Sequence, residues 1–89
     1  MISDQQLKAK IDILTSKLDA GLFDDGIIEA KGLLKKRGHQ IIYNIISIAY
    51  QSLNQFDLSV QIMEEALKKN PKNPYFLNNM GISKHKLES

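Results

Sequence analysis

Apolar side chains recur every three or four residues along most of this chain, which is the pattern of amphipathic α-helices. In the first such run, the apolar positions are Leu7, Ile11, Leu14 and Leu18. Mostly polar side chains lie between them, so the pattern predicts a helix over residues 7–20 that ends at Gly21. No segment alternates apolar and polar residues as a half-buried strand does. The pattern therefore predicts an all-α protein.

The second predicted helix runs from Asp24 to about Arg37. The Asp24 carboxylate is expected to be its N-cap, because it can accept hydrogen bonds from the free N–H groups of the first turn. Lys35 and Lys36 are favourable beside the negative end of the helix dipole. Gly38 is then expected to end the helix in a left-handed conformation.

Three further helices follow. The third, over residues 40–53, is apolar around most of its circumference, which predicts that other helices cover it on several sides. Asp57 is expected to cap the fourth, over residues 57–69, and Pro71 prevents its continuation. The fifth begins near Pro74, a residue that a first helical turn tolerates. The short loops between these helices predict antiparallel neighbours.

The sequence of the second helix is repeated 33 positions later. The aligned pairs are Phe23 with Phe56, Asp24 with Asp57, Ile27 with Val60, and Leu34 with Leu67. A helix pair that recurs at about this interval is typical of helical repeat proteins, in which each pair covers its apolar face against its neighbour. We therefore expect two stacked helical hairpins, each covering the apolar side of the other.

With Gln40 taken as position 1 of a repeating unit, the chain resembles a tetratricopeptide repeat. The residues that carry the resemblance are Tyr43, Ile46, Ser47, Tyr50, Leu53, Phe56, Ser59, Met63, Ala66 and Pro71. Ser47, Ser59 and Asn54 depart from the glycine and alanine that the family prefers there, but all three are small or compatible with turns. The resemblance implies antiparallel helix-turn-helix repeats that form a short right-handed α-solenoid of about five helices.

We expect a single domain over residues 1–89, with about two and a half repeats. The first repeat spans about 7–39, the second about 40–73, and a partial repeat or capping helix about 74–89. The apolar face of this last helix carries Phe76, Leu77, Met80 and Leu87, and its polar residues include Ser83, Lys84 and Lys86. Two interpretations stay open: the helix caps a complete chain, or the chain is part of a longer array whose next helix would cover this face.

Close packing between helices needs short side chains at the points of closest approach. The register of the repeat assigns such positions to Ser47, Ser59, Ala66 and Gly81. We therefore expect these four residues to lie at buried helix contacts.

The composition is that of an ordered protein with one modest core, since 43% of its 89 residues are apolar and 25% are charged. It contains no cysteine, which excludes disulfides and thiolate metal sites. The formal net charge of +2 is far from the basic excess of nucleic-acid-binding proteins. The N-terminal residues lack the features of a signal peptide, and the most apolar stretch, residues 41–50, is too short to cross a bilayer. We expect a cytoplasmic protein with no nucleic-acid or membrane partner.

Few titratable groups converge in the sequence, so we expect no enzyme activity, cofactor or metal. His39 and His85 lie in no motif that binds metal or activates a nucleophile. Asp24, Asp25 and Glu29 can in principle gather a cation, but acidic residues are expected near the start of a helix on dipole grounds alone. The basic clusters are Lys35, Lys36 and Arg37, and Lys68, Lys69 and Lys72. Their position at helix ends predicts a solvated rim.

The resemblance implies a concave groove, lined by the first helix of each repeat, that in the family typically holds a peptide or helix of a partner protein. The residues at the corresponding positions are Lys8, Ile11, Thr15, Leu18, Ile41, Asn44, Ile48, Gln51, Tyr75, Asn78, Ile82 and His85, with Asn79 at the border. We expect apolar side chains of the partner to enter the groove while Asn44 and Asn78 bond to its backbone. The alternative is that Ile11, Leu18, Ile41 and Ile48 belong to the core of so small a domain.

The preferred hypothesis is therefore a non-catalytic module for protein–protein interaction. Two alternatives stay open. The chain is the N-terminal scaffold of a larger enzyme, because repeats of this family often precede glycosyltransferase or sulfotransferase domains, or it is a self-associating structural unit. An exposed apolar edge also predicts a homodimer through the last helix or the groove.

Overall fold

A computed structural model describes the whole chain, residues 1–89, and confirms that the protein is all-α. The five helices are α1 (Asp4–Asp19), α2 (Phe23–Lys36), α3 (Gln40–Ser52), α4 (Phe56–Lys69) and α5 (Pro74–Glu88). None of them combines the length and the apolar character that crossing a bilayer requires.

Each helix packs on the next one along the chain, and α3 also contacts both α1 and α5. Helix α3 is therefore the centre of the molecule, and its Ile42, Ile46 and Ala49 are fully buried, as the apolar pattern predicts. Helices α2 and α4 do not contact each other directly. The two hairpins therefore meet through α3 of the second hairpin, against which both helices of the first hairpin, α1 and α2, pack.

The turn between the two helices of each hairpin has the same hydrogen-bonding pattern in both copies. Gly21 and Asn54 are the only residues with positive φ, at 79° and 59°. The backbone N–H of the following residue donates to the carbonyl oxygen five positions earlier. Leu22 donates to Lys17 and Gln55 donates to Tyr50, both at 2.9 Å. This is the Schellman arrangement, in which the left-handed residue is usually glycine and sometimes asparagine. The stop predicted at Gly21 is confirmed, and Asn54 performs the same role 33 residues later.

Both predicted aspartate caps are wrong. Helices α2 and α4 begin at Phe23 and Phe56, and no side chain caps either start. Asp24 and Asp57 occupy the second position of their helices, where a carboxylate still interacts favourably with the helix dipole. The physical reason is that the Schellman turn places Leu22 and Gln55 at the N-cap positions, and neither side chain forms a capping hydrogen bond.

The start of α3 also differs from the prediction. Gly38 does not have positive φ, because Arg37 is already extended and ends α2 without a left-handed residue. His39 is the N-cap of α3, and its Nδ1 accepts a hydrogen bond from the N–H of Ile41 at 3.1 Å. At the equivalent place before α5, Asn73 accepts from the N–H groups of the next helix, and Pro74 opens the first turn as expected.

Helix α1 begins earlier than its apolar pattern predicts. Ser3 and Gln6 form a capping box, in which each side chain accepts a hydrogen bond from the other residue's N–H. The signature of serine followed three residues later by glutamine is present in the sequence, so this start was predictable.

Three of the four residues assigned to close helix contacts lie there. Ser47, Ser59 and Ala66 are fully buried. Gly81 is not at a close contact, because a Cβ atom built on it meets nothing within 4 Å. The glycine that a close approach requires is Gly26, where a Cβ would lie 2.8 Å from the Cδ1 of Leu18.

Candidate binding face of α3 and α5

The residues predicted to line a groove differ in exposure according to their helix. Each of the helices α1, α3 and α5 contributes four of the predicted groove residues, and the first and third of each four are exposed. These are Lys8 and Thr15 on α1, Ile41 and Ile48 on α3, and Tyr75 and Ile82 on α5. Lys8 and Thr15 are polar, so the exposed apolar surface is confined to α3 and α5. We define Ile41, Ile48, Tyr75 and Ile82 as the α3–α5 face.

The side chains of the α3–α5 face are far from fully covered. Their exposed fractions are 47% for Ile41, 39% for Ile48, 70% for Tyr75 and 43% for Ile82. On each helix the two residues are seven positions apart, so they lie on one side, about two turns from each other. Because α3 packs on α5, the two pairs belong to adjacent helices.

The four residues that the alternative assigns to the core differ between α1 and α3. Ile11 and Leu18 are half-buried and pack against the core. Ile41 and Ile48 lie outside the core and face solvent. The groove predicted across all three helices is therefore apolar only along α3 and α5.

The amide side chains are paired differently from the prediction. Asn44 accepts a hydrogen bond through its Oδ1 from the Nδ2 of the buried Asn79. Asn44 therefore has its Nδ2 left for a ligand, whereas Asn78 is exposed on the surface of α5. Gln51 points inward and donates from Nε2 to the backbone oxygen of Asn79 at 3.3 Å and to Ser83.

A buried chain of hydroxyl groups lies behind the α3–α5 face. The Oγ of Ser59 on α4 is 2.8 Å from the Oγ of Ser47 on α3 and 2.8 Å from that of Ser83 on α5. Gln51 extends the chain by donating to the Oγ of Ser83 at 3.1 Å. All three serines are fully buried, and no buried polar side-chain atom lacks a partner. This serine chain joins three helices at one point.

Ser83 thus has a different role from the one its sequence context indicates. We expected it to contribute, with Lys84 and Lys86, to a polar surface on the last helix. Both lysines are exposed, but Ser83 is fully buried against α4. The burial of Ser83 depends on the packing of α4 against α5, which no local pattern in the sequence indicates.

An open depression lies at one end of the α3–α5 face. Its walls include Ile41 and Asn44 from α3 and Tyr75 from α5, with Phe76 beneath, and its volume is about 480 Å³. Asn73 donates from Nδ2 to the Oε1 of Gln40 at its edge. A depression of this size can accept side chains of a bound segment.

The histidines and acidic residues form no site of their own. His85 is exposed on α5, and His39 uses its Nδ1 to cap α3. No group of histidine, aspartate and glutamate side chains is arranged to hold a metal ion. Glu29 instead forms an ion pair with Lys17 at 2.6 Å, which raises the pKa of the Lys17 ammonium through their hydrogen bond.

A second concave surface lies on the other side of α3, in the gap between α2 and α4. Its floor includes the rings of Tyr43 and Tyr50, and its volume is about 410 Å³. The Nζ of Lys31 lies 5.4 Å from the ring centroid of Tyr50, and the Nζ of Lys69 lies 5.6 Å from that of Tyr43. We call this surface the α2–α4 cleft. No pattern in the sequence indicates this cleft, because the position of Lys69 at a helix end predicts only a solvated rim.

Comparison of the chain with models of protein families, with curated proteins and with solved structures finds no match. Four of the ten exposed large apolar side chains lie on the α3–α5 face.

Proposed function

We propose that this protein is a non-catalytic interaction module of the tetratricopeptide type, and that its α3–α5 face binds an extended or helical segment of another protein. The observation that carries the proposal is the exposure of two apolar pairs, Ile41 with Ile48 and Tyr75 with Ile82, at matching positions of adjacent helices. Exposed apolar area gains about 25 cal/mol per Å² when a partner removes it from water. A patch of this kind on a small domain is typical of a binding surface.

The spacing of the face suits a segment of regular structure. Within each pair the residues are about 10 Å apart along the helix, at 1.5 Å per residue over seven residues. An amphipathic helix presents apolar side chains at the same interval, and an extended segment presents side chains to one side about every 7 Å. Asn78 and the free Nδ2 of Asn44 lie beside the face and can bond to polar groups of the segment.

The serine chain supports the proposal by fixing the two helices that carry the face. Ser47 and Ser83 meet through Ser59, so α3 and α5 are held at one separation behind Ile48 and Ile82. A preformed surface binds more tightly than a mobile one, because less conformational entropy is lost on binding.

The first experiment is to select binding peptides from a random library and to measure their affinity by calorimetry. In the test variant, Ile48→Lys is combined with Ile82→Lys. In the matched control, Ile13→Lys is combined with Ile28→Lys, which also replaces two exposed isoleucines but outside the face. We expect the test variant to weaken binding by roughly 30-fold or more, as the loss of two interface anchors does, and the control to change it by less than about threefold.

Circular dichroism shows whether each variant retains its helices. The proposal is wrong if the folded test variant binds the selected peptides as tightly as the wild type does. It is also wrong if both double variants lose affinity equally, since binding then depends on general apolar exposure.

A second proposal, that the chain associates with itself, is favoured by one observation on α5. Leu77 and Leu87 are 50% and 53% exposed on a helix that packs only against α3 and α4. We expect a dimer at millimolar concentration in analytical ultracentrifugation, and Leu77→Lys combined with Leu87→Lys should return it to a monomer. A wild-type protein that stays monomeric at this concentration would eliminate the proposal.

A further inference from the structure

The α2–α4 cleft combines features that neither the apolar face nor the core explains. Three lysines line it, Lys31 and Lys35 from α2 and Lys69 from α4, against a single carboxylate, Glu65. Its apolar lining comes from Leu34, Leu58 and Ile62 and from the two tyrosines. The cleft is therefore positively charged at its rim and apolar inside.

Two of these ammonium groups are held in place. Lys31 lies over the ring of Tyr50 and Lys69 over the ring of Tyr43, at distances within the range of cation–π interactions. Both rings are almost completely buried, so their positions are fixed by the core. Hydrogen bonding to the side chain of Tyr43 also raises the pKa of Lys69, which favours its charged form.

The separation of the two lysine–tyrosine pairs defines which ligand fits between them. Tyr43 and Tyr50 are seven residues apart on α3, so the two rings over which the ammonium groups lie are about 10 Å apart along the helix axis. Lys31 belongs to the α2 wall and Lys69 to the α4 wall. An extended peptide covers about 10 Å in three residues, and side chains three residues apart point to opposite sides.

We propose that the α2–α4 cleft binds an extended acidic segment of another protein. One carboxylate of the segment pairs with Lys31 and Lys35 on one wall, and a second carboxylate, three residues away, pairs with Lys69 on the other. The apolar side chains between them contact Leu34, Leu58 and Ile62. This site is separate from the α3–α5 face, so either proposal can fail without the other.

Charge complementarity selects this occupant over an apolar helix. An uncharged segment placed here would partly dehydrate the ammonium groups at the rim and add no counter-charge to that of Glu65, which is unfavourable. Two carboxylates supply those counter-charges and leave the cation–π contacts intact.

The test is a chemical-shift titration of the ¹⁵N-labelled protein with the peptide Ser-Gly-Glu-Leu-Ile-Glu-Gly-Ser. A control peptide carries glutamine in place of both glutamates. We expect shifts at Lys31, Leu34, Tyr43, Tyr50 and Ile62 with the acidic peptide and none with its control. Raising the salt from about 50 to 300 mM should weaken binding, because the ion pairs are at the surface.

Protein variants distinguish the cleft from general attraction between charges. Lys31→Gln with Lys69→Gln should weaken binding about tenfold, while Lys84→Gln with Lys86→Gln, which removes the same charge from exposed positions of α5, should change it less than twofold. Glu65→Gln should instead strengthen binding about two- to threefold, because it removes the one carboxylate in the cleft. This gain cannot result from unfolding.

Three outcomes would overturn the proposal. The first is an absence of shifts at millimolar peptide, or shifts confined to the α3–α5 face. The second is equal loss of affinity in the two lysine pairs. The third is a set of shifts in the cleft that depends on protein concentration without peptide, which would identify a second copy of this chain as the occupant.

Discussion

The two hairpins share one backbone register but use opposite chemistry at the point where their helices meet. In the first hairpin, Leu18 of α1 meets Gly26 of α2, and Leu14 is buried one turn before Leu18. In the second, the residues 33 positions later are Ser47, Gln51 and Ser59. Leu14, Ser47 and Ser59 are all fully buried, and Gly26 is buried as well, so each set occupies the same kind of position in the fold.

The comparison shows that the register constrains the burial of a position more strongly than the size or polarity of its side chain. Gly26 lets the Leu18 side chain approach the α2 backbone, so the first contact is made by dispersion between apolar atoms. In the second hairpin, the hydroxyl of Ser59 is bonded on two sides and Gln51 is bonded to Ser83. The polar contact of the second hairpin is stable because every buried polar side-chain atom has a hydrogen-bond partner. It also reaches α5, and so holds together the helices that form the α3–α5 face.

The largest predicted effect concerns a size exchange between the hairpins. The first hairpin carries Ala30 and Leu33 where the second carries Met63 and Ala66, all buried. Met63→Ala alone should cost about 2–5 kcal/mol of unfolding free energy through a cavity, and Ala66→Leu alone about 1–3 kcal/mol through overpacking. The double variant places the small residue first and the large one second, as Ala30 and Leu33 are in the first hairpin. It should therefore lower the unfolding free energy by less than the sum of the two single variants.

Urea unfolding measures this cycle, with Ala9→Leu on the exposed side of α1 as a control expected to change little. Additive costs in the double variant would mean that the two hairpins do not share their side-chain positions.

The second prediction concerns the serine chain. Ser59→Ala should lower the unfolding free energy by about 1–3 kcal/mol, because it leaves the buried hydroxyl of Ser47 without a partner. The triple variant Ser47→Ala, Ser59→Ala and Ser83→Ala removes the stranded groups together and should cost less than the three single changes added. Thermal unfolding followed by circular dichroism measures each variant. A strictly additive triple variant would show that the hydroxyls act independently.

The smallest predicted effect separates two glycines of α2. Gly32→Ala adds a methyl group in open space and should stabilise the protein by about 0.5–1 kcal/mol, through helix propensity. Gly26→Ala gains the same propensity but forces the Leu18 side chain to move, so its net effect should be less favourable. Equal stabilisation by the two substitutions, compared by urea midpoints, would show that the contact between α1 and α2 is loose.

Much of the helical structure was predictable because apolar periodicity and turn residues are local signals. Gly21 and Pro74 lie where their backbone preferences place them. The caps were not predictable in the same way. Asp24 and Asp57 are good local candidates, but the turn before each helix places the N-cap position two residues earlier, at Leu22 and Gln55.

The binding surfaces were predictable only in part. Ile41, Ile48, Tyr75 and Ile82 follow from the repeat register, since a shared position implies a shared side of the helix. The bond between Asn44 and Asn79, the burial of Ser83 and the position of Lys69 over Tyr43 depend on the packing of neighbouring helices. No local pattern in the sequence specifies those contacts.

The central claim is that the second hairpin repeats the first in register, with Ser47 and Ser59 turned inward and Ile48 consequently outward. Nuclear Overhauser effects between side chains test it most directly. The account predicts contacts from the Leu18 methyl groups to the α-protons of Gly26 and from the side-chain amide of Gln51 to the β-protons of Ser83. Contacts from Ile48 to α4 in place of these would contradict it, because the helix would then be rotated and the α3–α5 face buried.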